Sequence, residues 1–269
     1  MRMWRQWLWL LAALGTVSLV GCDTVDRVIG RGPGPKLAEV KAKLDEKDWR
    51  GAQKILKRLL HGKAIGASVY AAAIELLLDA DRPTEAYDWA VAGLKATPNG
   101  SPTEHAQLYR LKGAALLELQ DPQGAVAANR AALHLDPSSP LVMNDLAYAL
   151  VEQSDPMPHL DEANRLALRA VEGAVKAGIT DVGYGVMLDT LGWIQFKRGE
   201  WTSAAANLGR AADLAPREPV ILYHQARLYE ARGRDEEATI LLKRAIRIDP
   251  SLDIAARALK ELLMTRDAS

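Results

Sequence analysis

The sequence has one cysteine, one phenylalanine and no excess charge of either sign: 34 basic residues face 34 acidic ones in 269. A single thiol cannot pair within its own chain, which excludes an intramolecular disulfide framework in any redox compartment. Balanced charge removes the basic footprint that nucleic-acid-binding proteins carry, so no nucleic acid is expected as a partner. If the segment before Cys22 is removed, Arg2 and Arg5 go with it, leaving 32 basic residues against 34 acidic ones.

Constellations that carry chemistry are missing as well. The histidines, His61, His105, His134, His159 and His224, stand in no metal-ligand spacing with one another or with the cysteine. The stretch GRGPGP lacks the lysine and the strand-to-helix context of a phosphate-binding loop. Asp189 and Glu200 are not set apart from the many other carboxylates. No cofactor, no metal and no enzymatic activity are expected.

One long apolar run is present, Trp7 to Val20, broken only by Gly15, Thr16 and Ser18. It is shorter than the roughly 20 residues that span a bilayer. With Arg2 and Arg5 before it and small residues after it, the segment reads as a secretory signal over residues 1–21. Leu19-Val20-Gly21-Cys22 resembles the lipobox of bacterial lipoproteins. That resemblance implies acylation of the Cys22 thiol, cleavage just before it and, usually, acylation of the new amino terminus. Two or more acyl chains hold a protein firmly on a membrane where one does not. An ordinary signal peptide, or an anchor helix with an incidental cysteine, is the alternative. Asp23 is similar to the residue that retains enterobacterial lipoproteins in the inner membrane. Residues 22–35, rich in glycine and proline near their end, read as a tether. The expected location is therefore the bacterial cell envelope, lipid-anchored and facing the periplasm or the exterior.

Aromatics make up 6% of the chain, alanine and leucine abound, and glycine and proline fall in short punctuations, which predicts an all-α protein. Segment ends repeat: AVAGLKATP, AALHLDP, AADLAP and AIRIDP, the last two prolines lying 34 residues apart. An alanine recurs at Ala52, Ala86, Ala125, Ala163, Ala204 and Ala238, with spacings of 34, 39, 38, 41 and 34. Twelve residues before it stand Ile74, Gly113, Gly192 and Ala226. A small residue at a helix crossing lets two backbones approach while leucines interdigitate on either side. Proline after the second helix forces the turn into the next unit.

This pattern resembles the tetratricopeptide repeat, most closely in LDTLGWIQFKRGEWTSAAANLGRAADLAP at Leu188 to Pro216. The resemblance implies a right-handed α-solenoid of helix-turn-helix units, whose stacked neighbours supply the core. About six repeats are expected over 36–252, at 33–66, 67–100, 106–139, 140–178, 185–218 and 219–252, the first a degenerate N-terminal cap. Residues 253–269 read as a capping helix and tail, with Ile254, Leu259, Leu262 and Leu263 on one stripe. Insertions NGSPTEH, QSDPMPHLD and KAGITDVGYG lengthen particular loops, on what is sometimes the binding face of a solenoid.

In the family, the first helix of each repeat lines a concave groove. Carried onto this chain, the groove positions are Gln107, Arg110 and Ala114, then Asn144 and Tyr148, then Asp189, Trp193 and Phe196, then Tyr223 and Arg227. Arg110, Asn144, Tyr148, Asp189, Trp193, Phe196, Tyr223 and Arg227 are the candidate partner-binding residues, because aromatics and arginine dominate binding hot spots. Trp193 has a second reading, as packing on the neighbouring helix. Repeat two presents Ala71 and Glu75 where the family's clamp for acidic chaperone tails wants basic and amide groups, so that clamp is absent. The expected partner is a protein or an extended peptide segment, with membrane contact through the lipid. The plan is similar to lipoproteins that assist assembly of type IV or Flp/Tad pili. It also serves adaptors of peptidoglycan hydrolases or of polysaccharide export, and a periplasmic peptide-binding chaperone is a further alternative.

Overall fold

The computed structural model describes residues 34–60 and 65–267. The signal segment, Cys22, His61 and the tether up to Pro33 lie outside the described residues, while Gly34 and Pro35, expected in the tether, begin the first helix. Among the described residues the chain forms thirteen α-helices and one short 3-10 helix, without strands. The all-α expectation therefore holds. No helix among them is long and apolar enough to cross a membrane.

The helices form consecutive hairpins: α1 (Gly34–Asp45) with α2 (Trp49–Leu60), α3 (Ala67–Asp79) with α4 (Pro83–Ala96), and α5 (Pro102–Glu118) with α6 (Pro122–Leu135). Next come α7 (Pro140–Val151), a 3-10 turn (Met157–His159) and α8 (Leu160–Lys176). Then follow α9 (Val182–Lys197) with α10 (Trp201–Leu214), α11 (Pro219–Ala231) with α12 (Asp235–Ile248), and a last helix α13 (Asp253–Asp267). The described chain gathers into two units, one ending at Asp145 and the other beginning at Leu146, with the division inside α7.

Local sequence explains where the helices start and turn. Pro83, Pro102, Pro122 and Pro219 each stand in the first turn of a helix, where the missing amide hydrogen is not needed. Ser101 and Glu104 close a capping box at the start of α5, the Ser101 amide donating to Glu104 Oε2 at 2.8 Å. Inside the hairpins the chain reverses through one left-handed residue. Gly199 and Gly233 fill this position before α10 and α12, whereas Lys47, Asp81 and Gln120 adopt it with a side chain before α2, α4 and α6.

Each hairpin is closed by the recurrent alanine. Ala52, Ala86, Ala125, Ala163, Ala204 and Ala238 are all wholly buried. The facing first-helix residues are small where contact is closest: a β-carbon on Gly192 would stand 2.8 Å from Leu208 Cγ, and one on Gly113 2.6 Å from Asn129 Oδ1. In the C-terminal unit Leu252, just before α13, and Ala255, Ala258 and Leu262 within it cover the last hairpin, with Ile254 and Leu259 partly buried against them. Leu263 departs from the expected stripe: it lies about 100° round the helix from Leu262 and is 40% exposed.

Two substitutions in α10 separate crossing from surface. Ala204→Leu is expected to destabilise the protein by about 1–3 kcal/mol through overpacking. Gly209→Ala, whose new β-carbon meets nothing within 4 Å, is expected to stabilise it by up to about 1 kcal/mol through helix propensity. Urea unfolding of both variants checks the pair, and equal effects would reject the crossing.

Candidate functional site

In the N-terminal unit α3, α5 and the start of α7 bring a polar cluster together. The Arg110 guanidinium donates from Nη1 to Asp145 Oδ2 at 3.2 Å, with both side chains buried. Asn144 Nδ2 donates to Asp145 Oδ1 at 3.4 Å, and Asn144 Oδ1 is enclosed without a hydrogen-bond partner among the described residues. Burial pushes the Asp145 carboxyl up against the opposing pull of Arg110 and Asn144. Glu75, 7% exposed, is pushed up to about 8 by burial, with Arg110 and a hydrogen bond from Gln107 opposing and the Asp79 charge reinforcing.

The C-terminal unit builds a second cluster on α9 and α11. Asp189 Oδ2 and His224 Nδ1 are 2.8 Å apart and both residues have no solvent exposure. With a carboxylate as partner, Nδ1 is the nitrogen that carries the proton and donates. Asp189 Oδ1 and His224 Nε2 are enclosed without partners among the described residues. Trp193 lies flat on the His224 ring, with centroids 4.1 Å apart and planes 15° apart. Phe196 stacks nearly parallel to Trp193 at 5.1 Å, Tyr223 leans on Trp193 at 6.1 Å, and Trp201 meets the edge of Phe196 at 5.4 Å.

Charges frame this aromatic stack. Trp193 Nε1 donates to Glu152 Oε1 at 3.4 Å, and Lys197 Nζ sits 4.6 Å from the Trp193 ring centroid, within cation–π range. Burial raises the Glu152 carboxyl, opposed by the charges of His224 and Lys197 and by the indole hydrogen bond. Burial and the nearby Arg227 charge lower Lys197, opposed by Glu152. Arg227 pairs with Glu230 at 3.2 Å.

The candidate residues expected on an open groove wall divide in two. Phe196, Tyr223 and Arg227 are half-buried and present a rim. Arg110, Asn144, Asp189 and Trp193 are enclosed, and Tyr148 is 1% exposed within α7, whose residues from Val142 to Val151 are all buried. That enclosure is a correction to the groove-wall expectation: neighbouring helices seal these side chains, and of them Trp193 packs against the rim residues Phe196 and Tyr223. Trp193 packs on the neighbouring helix, its second reading. Of the four aromatic candidates, Trp193, Phe196 and Tyr223 meet, whereas Tyr148 belongs to the core.

Sequence reasoning passed over His224 and Glu152, and did not pair Arg110 with Asp145. A signal for two of these was available. Arg110–Asp145 and Asp189–His224 are both separated by 35 residues, one more than the 34-residue period, so aligned first helices place each pair side by side.

The sequence model of the family described as tetratricopeptide repeat matches residues 103–140 and 190–253. No curated protein matches the chain. Among solved structures, TTC0263, a thermophilic TPR protein of Thermus thermophilus, is 18% identical with a TM-score of 0.60, over 74% of this chain and 100% of that one. The type IV pilus biogenesis factor PilW is 16% identical with a TM-score of 0.55, over 76% of this chain and 93% of that one. The Cut9–Hcn1 hetero-tetramer of APC/C gives 15% identity and a TM-score of 0.67, over 96% of this chain and 46% of that one. The hairpin fold with a rim on its first helices defines a helical-repeat protein of the class that binds proteins or peptides. Residues 103–140 and 190–253 match the tetratricopeptide repeat, and the fold is that of tetratricopeptide-repeat solenoids.

Two acids give the fold a pH dependence. Glu75 and Glu218, the latter raised by burial and by the Asp189 charge, both sit at about 8 against an ordinary value of 4.5. The folded state therefore holds protons that the unfolded chain releases. The resulting stabilisation is complete below about pH 4.5 and is lost as pH rises through about 8, with a slope of up to about 1.4 kcal/mol per pH unit for each group. Urea unfolding from pH 5 to 8.5 should show stability falling with pH, and Glu75→Gln should flatten part of that fall. A pH-independent wild type would contradict the burial of these carboxyls.

Proposed function

We propose that this protein is a membrane-anchored adaptor of a bacterial cell envelope, holding a protein partner near the membrane through the rim of Phe196, Tyr223 and Arg227. The observation that carries the reading is the continuous aromatic stack from His224 through Trp193 to Phe196, with Tyr223 leaning against it. Aromatics fixed from beneath lose little freedom on binding, which suits them to anchor an extended segment. The anchor rests on Cys22 in the lipobox-like Leu19-Val20-Gly21-Cys22, so the chain faces the periplasm or the exterior. Tetratricopeptide-repeat proteins are generally scaffolds without enzymatic activity, in keeping with a role in capture. The likeness of fold to a type IV pilus biogenesis factor supports assembly of a pilus or secretion complex as the setting.

Two measurements test this. Cys22→Ala should release the protein from membranes in fractionation; retention would favour an uncleaved helix over a lipid. Crosslinking in native membranes, read by mass spectrometry, should yield one dominant envelope protein. Its recovery should fall about 5- to 150-fold in Phe196→Ala and Tyr223→Ala variants that circular dichroism finds folded, the range for residues worth about 1–3 kcal/mol. Many partners, or partners indifferent to both substitutions, would move the search to the convex face or the inserted loops.

A further inference from the structure

Charge is segregated along the chain. Residues 36–63 hold nine basic residues against four acidic ones, whereas residues 64–269 hold 21 against 28. Within the first group the basic residues of α2 share a face. Arg50, Lys54, Lys57 and Arg58 follow one another at i, i+4, i+7 and i+8, all four exposed, while Ala52, Leu56 and Leu59 are buried on the opposite side. The helix contains no acid, and among the described residues none of the four has an ion-pair partner. The acids nearest in sequence are already engaged: Glu46 pairs with Lys43 at 2.7 Å, and Asp48 Oδ1 accepts from the Gly51 amide at 2.9 Å. Nor does the stripe serve the helix itself. Lys57 and Arg58 suit the negative end of the helix dipole, but Arg50 stands in the first turn, where a cation is unfavourable and no acid offsets it. Four unpaired cations in one row are matched by an anionic surface outside the chain.

We propose that this face of α2 lies against the anionic phospholipid headgroups of the membrane to which the chain is tethered. The inference builds on the lipid anchor proposed at Cys22, and the position of the stripe favours lipid as its occupant. Cys22 and Gly34 are twelve residues apart, a length of chain that reaches at most about 40 Å in any conformation, so an anchored chain keeps the α1–α2 hairpin near the bilayer. Basic residues there are attracted by acidic lipid over roughly a Debye length, about 8 Å at physiological salt. A basic patch also adds a second membrane contact to an acyl chain. The same surface repels the acidic remainder of the chain, so the charge asymmetry orients the protein as well as holding it.

The test compares the full chain on vesicles of neutral phosphatidylcholine and on vesicles containing about one third anionic phosphatidylglycerol, with the chain free in solution as reference. A membrane-impermeant acetylating reagent at single-hit levels, read by mass spectrometry, should modify Lys54 and Lys57 at least about threefold more slowly on the anionic vesicles. Lys243, exposed on α12, should react equally on both. Salt at about 0.5 M should abolish the difference, and an Arg50→Gln/Arg58→Gln chain found folded by circular dichroism should lose at least about half of the protection. Equal reactivity of Lys54 and Lys57 on the two vesicles, or equal protection of Lys243, would overturn the proposal. So would protection in native membranes but on neither vesicle, which would assign the face to an acidic protein. Flotation with the neutral vesicles reads the anchor separately. A chain that floats only with anionic vesicles, and is protected there, loses the anchor and keeps the basic face; one that floats with both and reacts equally keeps the anchor and loses the face. The comparison is made on the wild type, so it does not depend on the variant's folding.

Discussion

The close crossing inside each hairpin is the constraint on which the rest depends. A wholly buried alanine on the second helix, at Ala52, Ala86, Ala125, Ala163, Ala204 and Ala238, sets how near the two backbones come. Where the facing residue is Gly113 or Gly192, even one added carbon would collide with the opposite helix. Hairpins closed in this way expose their remaining apolar faces to the next hairpin, and stacking rather than a central core completes the burial. The end of the array then needs a lid, which α13 supplies with Ala255, Ala258 and Leu262, together with Leu252 just before it.

Stacking at this distance brings polar groups on successive first helices into each other's shadow. Arg110 meets Asp145 in one unit and Asp189 meets His224 in the other, each at a separation of 35 residues. Buried pairs of this kind add little net stability over apolar replacements, yet removing one partner leaves an uncompensated charge at a cost of about 3–5 kcal/mol. They act as register marks: a hairpin that slipped by one turn would bury both groups unpaired. In the C-terminal unit the mark also has a second use, because the His224 ring is the floor on which Trp193 lies and Trp193 carries Phe196. A half-open rim rests on a fully enclosed base.

Much of this architecture was legible in the residues. The recurrent alanine fixed the repeat frame, the prolines marked the starts and links, and the final amphipathic stripe foretold the lid apart from Leu263. The candidate site was legible only as a set of helix positions. Periodicity says which face of a first helix a residue shares, but that face is covered to a depth set by the neighbouring hairpins, which the repeat motif does not encode. Tyr148, Asn144 and Asp189 share the nominal groove face with Phe196 and Tyr223 and are nevertheless enclosed. His224 was invisible for a related reason: it carries no motif of its own, and its meaning comes from Asp189 one repeat earlier. Glu152 lies just past α7, after the last regular position, and only the fold brings its carboxylate to the Trp193 indole.

The most direct measurement is a double-mutant cycle on Asp189 and His224, with Asp189→Ala, His224→Ala and the double variant unfolded in urea at pH 7. If the buried pair locks successive first helices together, the singles will each be strongly destabilising. The double will then cost less than their sum by about 1–3 kcal/mol, the coupling expected of groups in direct contact. Effects that add to within about 0.5 kcal/mol would mean that the two residues are merely neighbours, and the account of the polar pairs as register marks would fail.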